Sequence, residues 1–364
     1  MTTSSPAASA TSGHAEEGAR PMSPSPMQFG VIVRSQIPAG EDLQLHLAAQ
    51  IEQARVAERL GFDSFTKTSH YSTRPLQDFQ QVPFMARLTA ETSRIRLNAG
   101  IVLLSLHKPL DIAEQFATID VMSRGRLIFS AALGYREVEF KAFGTTQKER
   151  VRRFEENFEA VRRLWTEDVV SMSASHFELM EASCSVMPHQ KPRPPMWMGA
   201  NADPAIRRAA RIADAWYVNP HNRLDTIERQ VELYRRALDE LGRPFPEEFP
   251  LRREIFVAPT REEAKRICAP YLAEKYRVYD QWGQGNAMPE GDNDLSLEFD
   301  ELAEGRFLFG APDEVAEQII GFHRRLGATH MIVGFQWPGM PQNQVLEAMQ
   351  LFAEEVMPKV RQGL

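Results

Sequence analysis

The feature that most constrains this chain is an alternation. Short apolar runs and longer amphipathic runs follow one another eight times between Met27 and Val356. The short runs are Met27–Arg34, Phe62–Thr68, Ile95–Leu104, Arg126–Ala132, Met196–Gly199, Ala215–Val218, Leu251–Ala258 and His330–Phe335. They are too short for helices and apolar enough for strands buried on both faces. Between them apolar residues return at helical spacing. The first such segment, 41–60, carries Leu43, Leu47, Ile51, Ala54 and Leu60, and Gly61 stops it. Further helices are predicted over 82–92, 108–121, 147–165, 203–213, 224–241, 261–276, 313–326 and 342–356. Pro109 suits a first helical turn; Asp203 is the expected N-cap of its helix, with Pro204 at the first helical position. Strands alternating with helices imply parallel pairing through right-handed crossovers. Eight such units close most simply into a (β/α)8 barrel, an α/β fold with its active residues on the loops after the strands. An open, doubly wound sheet is the other architecture this pattern allows.

Three segments break the rhythm. Residues 169–195 read as a β-hairpin insertion, with strands near 169–173 and 177–179, ending in a proline-rich turn. Residues 278–305 have no period and are rich in Gly, Asn and Asp, the mark of a functional or mobile loop. Residues 1–26 are rich in Ser, Ala, Pro and Thr, lack the apolar core of a secretory signal, and are expected to be a disordered tail. Met27 is then a candidate start, and 27–364 a single domain. A net charge of −7 argues against a nucleic-acid partner, because phosphate contact wants a basic face. No run is long and apolar enough for a membrane span. Cys184 and Cys268, the only two cysteines, make neither a disulfide framework nor a zinc cluster, so a reducing compartment, the cytoplasm, is expected.

Chemistry concentrates after the fourth strand, in the stretch 122–144. A tight turn at Ser123-Arg124-Gly125 leads into the strand, and Ala131, Ala132 and Gly134 at its far end leave room for a flat ring to approach the backbone. Tyr135, Arg136 and Glu137 follow. Gly199, Ala200, Asn201 and Ala202 lead into a helix whose first N–H groups and dipole suit a phosphate; the plainer reading is an ordinary capped helix. His70, after the second strand, has the pKa range for proton handling, and His107 follows the third; both also read as structural. Tyr135, Phe79, Phe335 and Trp337 line a pocket or belong to the core. Arg74, Arg136 and His221 are candidates to orient an anionic substrate, or surface groups. His189 and His221 fit no metal pattern, and the chain has no Gly-x-Gly-x-x-Gly after a strand, no Walker loop and no serine elbow.

The string GRLIFSAALGYREVEFKAFG, with ER at 149–150, resembles the bacterial luciferase-like flavin monooxygenases. So do RIRLNAGIVLLSLHKPLDIAEQFATID at 94–120, MGANADPAIRRAARIADAW at 198–216 and VGFQWPGMPQNQVLEAMQLFAEEVMP at 333–358, in family order. The resemblance implies a closed barrel of the TIM type that receives FMN as reduced flavin from a separate reductase. It implies O2 as co-substrate, a flavin C4a-peroxide, and transfer of one oxygen atom to a small organic substrate. It also implies a dimer or tetramer, and a lid formed by 278–305. On that resemblance Ala99-Gly100 carries a non-prolyl cis peptide under the flavin, Ala132 lies beside the ring, and Arg150 matches a phosphate-binding arginine, its plain alternative being an exposed helix charge. Leu133 departs from the pattern, standing where the luciferases have another phosphate-binding arginine, and Ser130 and Ala132 stand where glycines are common. The expected function is a two-component FMN-dependent monooxygenase using His70, Tyr135 and His107. The alternatives are a deazaflavin (F420)-dependent oxidoreductase on the same barrel and a non-catalytic flavin-binding partner subunit.

Overall fold

The computed structural model describes residue 1, residues 27–34 and residues 36–364. Residues 2–26 of the expected tail lie outside the described residues. Eight parallel strands form a closed ring: β1 Gln28–Val33, β2 Ser64–Lys67, β3 Arg96–Leu103, β4 Leu127–Ala132, β5 Met196–Ala200, β6 Ala215–Val218, β7 Pro250–Val257 and β8 His330–Gly334. Each pairs with the next in sequence, β6 meets β7 at Val218 and Leu251, and β8 returns to β1 through Gln28 and His330. The closed barrel predicted from the alternation is the fold, and the open sheet is excluded.

Local chemistry sets the helix ends. Asp42 caps the helix Leu43–Arg59 by accepting from the backbone N–H of Gln44 at 2.8 Å. Thr260 caps Arg261–Gln281, and Gly327, at φ 75°, closes Pro312–Leu326 in the left-handed conformation. The hairpin is present as antiparallel Val170–Ser173 and Glu178–Ala182, with Val170 and Leu179 packed on the core.

Three expectations are corrected. The helix after β7 runs on to Gln281, so the irregular segment starts later than 278. That segment is followed by an extra strand, Phe307–Gly310, which pairs in parallel with the upper half of β7 from Glu254 to Val257. Phe307–Gly310 follows an aperiodic stretch, out of step with the strand–helix alternation, and pairing with the ladder of β7 makes it a strand. A short helix, Glu137–Ala142, occupies the loop expected after β4.

The barrel interior is layered. Its N-terminal end is closed by polar groups: His330 bonds Ser64 Oγ through Nε2 at 2.8 Å and Glu248 through Nδ1 at 2.8 Å, while Arg96 also reaches Glu248. Above lies an apolar plug of Ile32, Ile128, Trp197, Ala215, Tyr217 and Ile332. Beside it Ser130 Oγ donates to Asn98 Oδ1 at 2.7 Å, and Asn98 Nδ2 donates to Thr66 Oγ1 at 3.2 Å, tying β2, β3 and β4 together. The interior is therefore packed solid below the C-terminal rim, and open space is confined to that rim.

Burial alone would raise the Glu248 carboxyl, but the His330 ring and Arg96 hold it down at about 2, below its ordinary 4.5. A carboxyl depressed in the folded state stabilises above its unfolded pKa and loses that contribution as pH falls. Between pH 4.5 and about 2 the wild type is therefore expected to lose stability more steeply than Glu248→Gln in urea melts. Parallel pH slopes for the two proteins would contradict the pairing.

Candidate active site

At the C-terminal rim a cavity of about 340 Å³ is lined by the ends of β2 to β7 and by residues 284–288 of the irregular segment. Its floor is made of small groups. Gly100, Ala132 and Gly199 from β3, β4 and β5 all border the space. A Cβ on Gly199 would lie 2.3 Å from Ile101 Cδ1, and one on Gly100 would lie 2.6 Å from Thr66 Cγ2. Glycine at 199 lets β5 approach Ile101 of β3, glycine at 100 lets β3 approach Thr66 of β2, and neither puts a side chain into the rim. The non-prolyl cis peptide is present, one bond later than expected: it joins Gly100 to Ile101. Ala99 itself is fully buried with its side chain among the core residues outside the barrel and does not border the cavity.

One end of the floor is suited to an anion. Gly199, Ala200, Asn201 and Ala202 border the cavity and enter the helix Asp203–Ile212. Ala202, and not Asp203, is the N-cap residue, so no side chain caps this helix. Asp203 turns outward to Arg229, at 2.7 and 2.9 Å. Pro204 has no N–H and the Ala205 and Ile206 amides donate to the Ala202 carbonyl, so the helix start leaves the Ala202 and Asp203 N–H groups, without a partner among the described residues, for a ligand. Arg150, half-buried at the start of its own helix, borders the same cavity, and its side chain has no protein partner among the described residues. Leu133 borders it too, offering no charge.

The opposite end of the floor carries the proton-handling groups. His70 follows β2, and its Nδ1 meets Glu139 Oε1 at 3.2 Å. The same oxygen accepts the Tyr71 N–H at 3.0 Å and Arg136 Nη1 at 3.3 Å. Burial acts to raise the Glu139 carboxyl, but His70, the Tyr71 amide and Arg136 leave it below its ordinary range. Glu139 sits on the short helix that the sequence did not reveal. The arrangement fixes the imidazole and leaves Nε2 without a protein partner among the described residues, at the cavity wall. Tyr135, also at the wall, has a buried hydroxyl with no partner among the described residues; burial raises its pKa well above 10.0, so it stays a proton donor.

Other expected residues fall elsewhere. His107 lies behind the site against Tyr71 and Phe143, its Nε2 at 3.2 Å from the Tyr71 hydroxyl. Phe79 stacks on Phe84, and Phe335 packs between Phe62 and Phe352. Trp337 is fully buried with Nε1 donating to Glu254 Oε2 at 2.9 Å. None of these four borders the cavity; Phe335 and Trp337 miss it because the loop after β8 folds back into the core and does not rise over the rim. Arg74 is exposed and Arg136 is spent on Glu139 and on the carbonyls of Tyr71 and Ser72. His221 does border the cavity, held between Tyr276 and Tyr279. The cavity also recruits Ile101, Tyr217, Arg252 and Tyr279, which the sequence did not single out.

The luciferase-like monooxygenase family model matches residues 27–330. The chain belongs to the luciferase-like monooxygenase family. This luciferase-like monooxygenase, an oxidoreductase by its family, is 26% identical over 326 residues to an FMNH(2)-dependent dimethylsulfone monooxygenase of Pseudomonas putida, covering 85% of this chain and 86% of that one. It is 28% identical over 334 residues to an F420-dependent glucose-6-phosphate dehydrogenase of Microbacterium testaceum, covering 84% and 91%. The monooxygenase RslO1 of Streptomyces bottropensis superposes with a TM-score of 0.80 at 26% identity, over 91% of this chain and 99% of that structure.

Burial pushes the His107 imidazole down to about 4. A histidine depressed in the folded state is neutral at physiological pH, and its stabilising contribution is lost only as pH falls below the ordinary 6.5. In spectra of ring-labelled protein, the His107 signal is expected to stay that of the neutral ring down to about pH 5. A midpoint near 6.5 would place His107 in contact with solvent.

Proposed function

We propose that this luciferase-like monooxygenase takes reduced FMN from a separate reductase and uses it with O2 to oxygenate a small organic substrate. One observation carries the reading: a floor of Gly100, Ala132 and Gly199 runs into an uncapped helix start beside the unpartnered Arg150. These residues fit a flat ring with a phosphate tail. The name of the Pseudomonas putida relative supports flavin delivered already reduced.

Bound there, reduced flavin supplies the electrons that activate dioxygen. Gly100, Ala132 and Gly199 keep the floor clear. The Ala202–Asp203 amides and Arg150 hold the phosphate, and this two-point grip offsets the missing charge at Leu133. His70, oriented by Glu139, presents Nε2 to donate or accept a proton at the reacting face. Tyr135 donates its hydroxyl hydrogen at the same wall. Residues 284–288, with Trp282 against His70 at 5.5 Å, limit the entry of water. A second reading, an F420-dependent oxidoreductase, is favoured by the Microbacterium testaceum relative.

Two measurements separate the readings. Arg150→Gln is expected to weaken FMN by about tenfold or more and to leave riboflavin, which has no phosphate, within about twofold. Turnover of a screened substrate under isotopically labelled O2 is expected to place one labelled atom in the product. Retention of F420 in preference to FMN, with no label in the product, would overturn the monooxygenase reading in favour of the second.

A further inference from the structure

The wall facing the flavin floor has an excess of positive charge. In the ring β7 lies opposite β3, four strands away in either direction. Glu254 projects from β7 and is fully buried. Its Oε1 accepts from Arg34 Nη2 and from Lys275 Nζ, both buried, and its Oε2 accepts from Trp337 Nε1. Both carboxylate oxygens are therefore engaged. A third cation, Arg252, stands two residues earlier on the same strand and borders the cavity. Its Nη2 comes no nearer to Glu254 Oε1 than 3.9 Å, and its side chain is 13% exposed. Its Nε and Nη2 are buried and have no partner among the described residues.

Three cations thus face one carboxylate, and the guanidinium nearest the open space has no hydrogen bond among the described residues. A buried guanidinium with unsatisfied donors is costly, and such groups are almost always met by an acceptor. Burial and the neighbouring Arg34 lower the Arg252 pKa, the direction expected of a cation short of a counter-charge. The planar fork of a guanidinium matches a carboxylate or sulfonate through two parallel N–H bonds.

We propose that Arg252 receives an oxyanion of the organic substrate, a carboxylate or sulfonate, and so selects an anionic substrate class. This rests on the flavin reading of the opposite floor. The same chemistry has a second source, the anionic edge of reduced flavin itself. Position favours the substrate, because the small-residue floor and the anion-binding helix start lie on β3 to β5, across the barrel from Arg252. Tyr217 on β6 borders the same wall, and burial pushes its hydroxyl up to about 12, so it remains available as a donor beside the guanidinium.

The test is calorimetric, on the wild-type chain with and without saturating FMN. Methanesulfonate is compared with its neutral isostere dimethyl sulfone, and benzoate with benzamide. The wild type is expected to prefer each anion over its isostere by about tenfold or more. Arg252→Gln is expected to abolish that preference while leaving FMN affinity within about twofold; Arg252→Lys keeps the charge but loses the fork, and is expected to retain part of it. The wild-type comparison needs no variant, so a failure of Arg252→Gln to fold leaves the test intact. Equal affinity for anion and isostere in the wild type overturns the proposal. So does a loss of FMN affinity in Arg252→Gln in step with the anion, which would assign the guanidinium to the cofactor. Anion preference without any FMN binding would refute the flavin reading alone and support the oxyanion site.

Discussion

Closure of the parallel ring is the constraint from which the rest follows. Once β8 pairs back onto β1 and β6 onto β7, the ring itself has no free edge, and all eight C-terminal ends face one rim. The interior below is filled by Trp197, Tyr217 and a set of isoleucines, and sealed at the far end by His330 and Glu248. Ligand space can then exist only where the strands run out. That is why residues as distant in sequence as His70, Arg150, Asn201 and Arg252 border one cavity.

The rim divides into two unlike halves. From β3 to β5 the side chains shrink to Gly100, Ala132 and Gly199, and the backbone itself becomes the surface. From β6 round to β1 the rim carries Tyr217, Arg252, Glu254 and Arg34, and Lys275 joins them from the helix after β7. Burying such charges is expensive, and a well-packed apolar wall would generally be no less stable. Of these charges Arg252 alone borders the cavity, with Glu254, Arg34 and Lys275 buried behind it.

Much of this was legible in the sequence, for identifiable reasons. Strands buried on both faces leave continuous apolar runs, so all eight barrel strands could be read from residues such as Val31, Ile128 and Ile332. Small residues at a strand end carry a plain steric meaning, and Gly100, Ala132 and Gly199 lie where that meaning required. Aromatics after a strand carry none. Phe335 and Trp337 look the same in sequence whether they line a pocket or fill the core, and tertiary packing sent them to the core. Arg252 was missed for the opposite reason: in LRREIFV it reads as an interruption of an apolar run, while the neighbouring cations Arg34 and Lys275 are far away in the chain. The role of Glu139 was hidden because it depends on a six-residue helix too short to show a period. The shift of the N-cap from Asp203 to Ala202 reflects the pull of Arg229, again a contact from another element.

The central claim is that a flavin ring rests on the floor formed by β3, β4 and β5. A crystal structure of the chain soaked with FMN tests it most directly. The expected result is ring density against the Gly100–Ile101 peptide, Ala132 and Gly199, with the phosphate between Arg150 and the amides at Ala202–Asp203. Ring density anywhere else, or a cavity left empty at saturating FMN, would contradict it.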